Sequence, residues 1–161
     1  MAVLPIICWP DSRLTSVCSE IDRDVSALAA DMLETMYAAP GRGLAAPQVG
    51  VLLRLFVMDC TWKDGIYAPR VLINPERLWA SPEMASGPEG CLSLPGLTSQ
   101  VRRSTAVRMR WRNLAGEICE ETFTGFAAIC AQHEFDHLDG IVTLHRLPAE
   151  ARARAEAEYR A

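Results

Sequence analysis

At 161 residues the chain has room for one domain built on one core. Half of it is hydrophobic, its mean hydropathy is +0.07, and sixteen basic residues stand against twenty acidic ones for a net charge of −4. That balance excludes general binding to nucleic acid or to an anionic membrane surface.

The opening MAVLPIICWPD has no basic n-region, and its apolar stretch is broken by Pro5 and ended by Asp11. It reads as too short for a signal peptide or a membrane span. Ser19 and Asp22 form a capping-box-like start, and Ile21, Val25, Leu28, Met32, Leu33 and Met36 recur at helical spacing, which predicts a helix over 21–38 that ends before Pro40-Gly41. Residues 51–59, VLLRLFVMD, predict a largely buried strand, and residues 70–74, RVLIN, another that Pro75 stops. Residues 107–112 alternate, with Val107, Met109 and Trp111 on one face and Arg108, Arg110 and Arg112 on the other. A turn at 113–116 and a return strand over 117–123 complete a hairpin. The arginine row reads as its solvated face, paired with Glu117, Glu120 or Glu121. Thr124 can cap a following helix and Gly140 can end it. The first part of that helix, Phe126-Ala-Ala-Ile-Cys-Ala131, is apolar all round, so the helix is expected to be buried. The tail from Pro148 to Arg160 has few large apolar residues and predicts a marginal, exposed helix. No interdomain linker is evident, so residues 1–161 read as a single catalytic domain. The six cysteines (Cys8, Cys18, Cys60, Cys91, Cys119, Cys130) contain no CxxC and, without an export signal, read as reduced thiols in a cytoplasmic protein.

The chemistry concentrates in residues 133–137, His-Glu-Phe-Asp-His. On a helix, positions i and i+4 lie on one face about a turn apart, so His133 and His137 can grip one metal ion. Glu134, beside the first ligand, can reach a water on that metal. This pattern points to a metal-dependent hydrolase. Two histidines leave such a site incomplete, because catalytic sites commonly use three protein ligands and an open position. Downstream the longer His-Glu-x-x-His-x-x-Gly-x-x-His pattern fails, since Thr143 stands where a third histidine belongs. His145 is a remaining donor there. Upstream, Cys91 lies in Glu89-Gly-Cys-Leu-Ser93, between Gly87-Pro88 and Pro95-Gly96, and is the stronger candidate.

Three segments, in order, resemble the motifs of the peptide deformylases: GRGLAAPQVG at 41–50, EGCLS at 89–93 and QHEFDH at 132–137. The likeness extends to Pro10-Asp-x-Arg-Leu14 and covers nearly the whole chain. It implies an α+β fold in which small antiparallel sheets pack around a central buried helix carrying the HExxH motif. It implies that Cys91, His133 and His137 bind one divalent transition metal, Fe²⁺ by preference with Zn²⁺, Ni²⁺ or Co²⁺ able to replace it. Glu134 would be the general base, with the Gln48 side chain and the Leu92 backbone N–H stabilising an oxyanion. Asp136 and Glu89 would orient the ligands, with Arg103 as a partner for Glu89. Gly43, Leu44, Ile129 and Cys130 would line the pocket for the first side chain, normally methionine. The implied partners are formyl-Met nascent peptides, met near the ribosome, with no membrane and no specific nucleic acid.

Three residues depart from the family pattern. Arg42 stands where an aliphatic residue is usual near the methionine pocket, Thr98 where an arginine is common, and His145 where an acid is usual. They bear on substrate preference rather than on chemistry. A paralogue acting on another formylated or acylated amine, and a non-catalytic metal-binding module, are the alternative readings. Intact Glu134 and Gln48 speak against the second, because metal binding alone needs neither.

Overall fold

The structure, a computed structural model, describes residues 2–160. In chain order it holds α1 (Ser26–Ala38), β1 (Gly43–Ala45), β2 (Leu55–Met58), β3 (Arg70–Ala80), β4 (Met84–Cys91), β5 (Leu94–Ser104), β6 (Ala106–Arg112), β7 (Ile118–Thr124), α2 (Gly125–Leu138) and α3 (Ala149–Arg160). All strand pairings between them are antiparallel. One sheet has the order β1-β2-β3-β6-β7, and β4 and β5 form a separate two-stranded sheet. This is the α+β arrangement expected, with α2 packed between the sheets.

Strand β2 shows how the sequence produces the layers. Successive strand residues face opposite ways. Phe56 and Met58 point to the cluster shared with Ala128, Ala131 and Leu138 of α2, while Leu55 and Val57 point to the cluster shared with Met32 and Met36 of α1. A strand buried on both faces must be apolar throughout, and LFVM is. A third cluster joins Leu14, Leu94, Leu97, Val142 and Leu144 to Ala155 of α3. Small side chains let α3 approach closely, and the Tyr159 hydroxyl donates to the Trp9 carbonyl at 2.9 Å. The tail is a largely exposed helix, as its composition suggests, and is docked through Ala155 and Tyr159.

Other elements differ from expectation for local reasons. Helix α1 begins at Ser26 rather than residue 21, because Asp24 accepts hydrogen bonds from the Ser26 N–H and hydroxyl, and Ser19 is committed to a bridge with Leu53. The β2 strand is shorter than 51–59, since Val51 and Leu53 N–H groups turn to local carbonyls. Strand β3 runs through Pro75. The ladder to β6 shifts register between Ile73 and Glu76, and Asn74 adopts φ 49°, so Pro75 sits in a bulge that needs no N–H donor. Asn74 fixes that bulge by exchanging two side-chain hydrogen bonds with the Ile21 backbone. The hairpin over β6 and β7 is as predicted, and Arg108 pairs with Glu120. Arg110 pairs instead with Glu76 on the neighbouring strand, and Glu121 takes Arg70. Six free cysteines are present, as expected. Among the described residues no helix is long and apolar enough to cross a membrane.

Candidate active site

Helix α2 carries an unusual load. Gln132, His133, Glu134, Asp136 and His137 are all less than a tenth exposed. Burying polar groups is costly unless each is paired, so the partners of these five define what the helix is for. Gln132 Nε2 donates to the carbonyls of Ser104 and Ala128. Asp136 accepts from Arg103 Nη1 at 2.9 Å and from Arg146 Nε and Nη2 at 3.0 and 2.6 Å. His133 Nδ1 lies 2.9 Å from Glu89 Oε1, so the Nδ1–H donates to the carboxylate and Nε2 is the ring nitrogen left for a ligand. Arg103 grips the same carboxylate with Nε at 2.7 Å and Nη2 at 3.0 Å. Glu134 Oε1 and His137 Nδ1 are buried without a hydrogen-bond partner.

Cys91 reaches this helix from the other sheet. It ends β4, and Leu92 and Ser93 make the turn into β5. The turn is pinned from outside by the Trp9 N–H, which donates to the Ser93 carbonyl at 2.8 Å. Gln48 comes from a third segment, the tight turn Ala46–Val49, closed by Gly50 at φ 85°. Its Oε1 accepts from the Ala45 N–H at 2.9 Å, which aims Nε2 at Ser93 Oγ (3.1 Å) and at the Cys91 sulfur (3.7 Å). Gln48 is itself buried, so this orientation is held by packing as well as by hydrogen bonds.

The donor atoms of Cys91, His133 and His137 all lie within 4.8 Å of one another. Cys91 Sγ and His137 Nε2 are 3.5 Å apart. A tetrahedral ion with metal–sulfur and metal–nitrogen bonds of ~2.3 and ~2.05 Å separates such donors by about 3.6 Å. The Cys91–His137 separation thus matches that of two donors on one transition metal. His145, the alternative third ligand, is turned away: its Nδ1 accepts from the Val142 N–H and its ring packs edge-on against Trp9.

The electrostatics suit the same use. Burial, with the positive charges of His133 and Arg103, depresses His137 well below the usual histidine range, which leaves the neutral form a metal requires. Burial also opposes a charge on His133, but Glu134, Cys91 and Glu89 outweigh it and raise its pKa well above the usual value. Glu134 is pushed up to about 7, chiefly by burial. A carboxyl so placed is poised to take and return a proton near neutral pH.

These side chains open on a cavity of about 840 Å³ lined by Arg42, Gly43, Gln48, Cys91, Leu92, Ile129, Cys130 and Glu134 among others. Leu44, expected in that lining, is instead fully buried in the cluster with Met32 and Met36, because alternation along β1 turns it to the opposite face from Gly43. Gly43 is tightly specified. A Cβ there would stand 2.5 Å from Glu134 Oε2 and 2.9 Å from Cys130 Sγ. Gly43→Ala is expected to displace the Glu134 carboxylate and cut the rate about tenfold or more while the fold persists, since misplacements of ~1 Å can cost 10²-fold. Steady-state turnover alongside circular dichroism checks this. Full activity in Gly43→Ala would mean that the carboxylate position is not critical.

The comparisons bear on this geometry. The polypeptide deformylase family pattern matches residues 3–153. The chain belongs to the polypeptide deformylase family. A peptide deformylase of Afipia carboxidovorans is 47% identical over 162 residues, covering 99% of this chain and 95% of the relative. A protein of Bradyrhizobium diazoefficiens named peptide deformylase-like is 41% identical over 157 residues, covering 96% of this chain and 91% of the relative. The crystal structure of a Legionella pneumophila peptide deformylase superposes with a TM-score of 0.91 at 35% identity, covering 99% of this chain and 94% of that one. The Synechococcus elongatus peptide deformylase, solved with actinonin, does so at 0.91 and 33% identity, covering 98% and 88%.

Two deformylase site features were beyond sequence reasoning. Arg146 clamps Asp136 from the turn after α2, and Ser93 shares the Gln48 amide. Arg146 lies in none of the three motifs, and Ser93, the last residue of EGCLS, is of a type that does not announce the contact. The Arg103–Glu89 pair was foreseen, but not that Arg103 also bridges to Asp136 and so ties the two sheet-borne and helix-borne carboxylates into one buried network.

Proposed function

We propose that Cys91, His133 and His137 hold one divalent transition metal, Fe²⁺ in the native protein, and that the chain uses it to hydrolyse the formyl amide of formyl-methionine at the start of newly made polypeptides. Family membership makes the chain a metal-dependent amidohydrolase. The metal would supply a Lewis acid and an activated water at neutral pH. The other steps belong to the chain's own side chains. Glu134, unpartnered at Oε1 beside the donors, accepts a proton and returns it to the leaving amine. The Gln48 amide and the Leu92 N–H donate to the oxygen on which negative charge develops; one such donor is typically worth about 2.7–4 kcal/mol. Products are formate and a peptide with a free N-terminus. Ile129, Cys130 and Phe126 offer the apolar wall that a methionine side chain needs. The edge of β1, which among the described residues pairs only with β2, can take an extended peptide backbone. The proposed setting is the cytoplasm, where nascent chains leave the ribosome.

The observation that carries this reading is the cluster of three metal donors, two of which (Cys91 and His133) line the same cavity as the buried carboxylate of Glu134, unpartnered at Oε1. The test is anaerobic purification with metal analysis, followed by formate release from formyl-Met-Ala-Ser. About one transition metal per chain and metal-dependent formate release are expected. Zn²⁺, Ni²⁺ or Co²⁺ should restore activity to the stripped protein, because a thiolate and two imidazoles suit each of them.

Cys91→Ala should bind metal far more weakly, since two imidazoles alone form an incomplete site. Equal occupancy in Cys91→Ala and the parent would remove Cys91 from the ligand set.

A further inference from the structure

Besides His133, the cavity is lined by two acids, Glu89 and Glu134, and two bases, Arg42 and Lys63. The two acids are spoken for. Glu89 is held by Arg103 and His133, and the Glu134 carboxylate is buried against Gly43. The two bases have no carboxylate within 4 Å among the described residues, although acidic residues outnumber basic ones in the chain. Arg42 is half-buried and its guanidinium carbon lies 5.0 Å from the centre of the Phe126 ring. Lys63 is exposed, in the turn after β2. The indole N–H of Trp62 donates to the Gly41 carbonyl at 2.9 Å, so the segment carrying Lys63 is fastened to the segment carrying Arg42. Phe126 lies in the first turn of α2, which contains no acidic residue and receives no side-chain cap from Thr124. The positive end of that helix dipole is therefore uncompensated on the same side of the cavity.

A half-buried guanidinium without an anion carries a desolvation cost that a carboxylate from outside would relieve through charge-assisted hydrogen bonds. We infer that Arg42 and Lys63 form an anion-selective rim, and that this enzyme prefers formylated peptides bearing a carboxylate within the first residues after formyl-methionine. The inference rests on the deformylase reading. The carboxylate can come from an acidic side chain or from the C-terminus of a short peptide, and the two sources are separable. It also gives Arg42 a role that does not obstruct methionine. Stacked on Phe126, its charge borders the apolar wall and leaves Ile129 and Cys130 open to the side chain.

The experiment compares kcat/KM for formate release from formyl-Met-Asp-Ser-amide, formyl-Met-Asn-Ser-amide and formyl-Met-Lys-Ser-amide. It does the same for formyl-Met-Ala-Asp-amide against its Asn and Lys counterparts, and for formyl-Met-Ala-Ser as free acid against amide. Each is measured at low and high salt. At one or more of these positions the acidic peptide should exceed its lysine counterpart by about fivefold or more at low salt, as expected of two partly exposed charge contacts. The preference should shrink at ~0.5 M salt, where screening acts within a few ångströms. Arg42→Gln and Lys63→Gln should each narrow it. If only the free acid is favoured over the amide, the anion is the terminus rather than a side chain, and the rim still stands. Equal or better turnover of the lysine peptides throughout, or a preference unchanged in both variants, would overturn the inference. Calorimetry with the product peptides Met-Asp-Ser-amide, Met-Ala-Asp-amide, Met-Ala-Ser and their Lys or amide counterparts runs in parallel. If no peptide releases formate, the deformylase reading fails, while binding of the acidic products still decides whether the rim selects anions.

Discussion

Glu134→Gln is expected to lower kcat for formyl-Met-Ala-Ser by about 10²–10⁴-fold, the usual cost of losing a general base. Metal content and melting temperature should stay close to those of the parent. The separation follows from the site's geometry. Glu134 is outside the cluster of Cys91, His133 and His137, and its Oε1 makes no hydrogen bond that the fold depends on. The substitution keeps the side chain's shape against Gly43 and removes its ability to take a proton. It also removes a buried acid that desolvation has already pushed up to about 7, so a small gain in stability above neutral pH would be consistent with the loss of activity. Metal analysis, thermal unfolding and single-turnover formate release together check the outcome. Turnover within about threefold of the parent would show that the proton goes elsewhere. Loss of the metal with activity would make Glu134 a ligand.

Arg103→Met should be the most damaging substitution outside the metal donors. Arg103 is 6% exposed and holds two carboxylates, Glu89 at 8% and Asp136 at 6%. Those contacts keep Glu89 ionised: burial works to raise its pKa, but the hydrogen bonds from His133 and Arg103 outweigh it and bring the pKa below the usual value. Removing one partner of a buried ion pair typically costs about 3–5 kcal/mol, because the other partner is left charged and dry. Arg146 still serves Asp136 and His133 still serves Glu89, which places the expectation toward the lower end of that range. For a chain of this size each kcal/mol moves the melting temperature by roughly 2–4 °C, so a drop of about 6–12 °C is expected. Metal affinity should also fall, by about 10–100-fold, because Glu89 is the group that orients the His133 ring. Arg103→Lys keeps the charge but cannot fork between Glu89 and Asp136, and should recover only part of both losses. Thermal unfolding and competitive metal titration measure the two effects. A melting temperature unchanged to within ~2 °C would mean that the network adds nothing net to stability.

Much of the candidate active site was legible in the sequence because its parts are local. Helical geometry alone puts His133 and His137 on one face, and an apolar run before them buries that face. The clean alternation of β6 and the all-apolar β2 likewise announced their environments, one half-exposed and one covered on both sides. Other features depended on which segments become neighbours. The flanking glycines and prolines, and then the deformylase resemblance, favoured Cys91 over His145 as third donor, but only the meeting of the turn after β4 with α2 sets Cys91 Sγ 3.5 Å from His137 Nε2 while His145 bonds to the Val142 N–H. Leu44 looked like a pocket residue and proved to be core, because α1 packs against the far side of β1. Pro75 ends a strand by local rule, yet β3 continues through it since Asn74 and a register shift absorb the missing donor. Arg110 chose Glu76 over the glutamates of its own hairpin, because a third strand lies alongside. Sequence determines what short-range geometry and the sign of burial can fix; tertiary structure decides pairings between distant segments, whose energies depend on distances that no local pattern encodes.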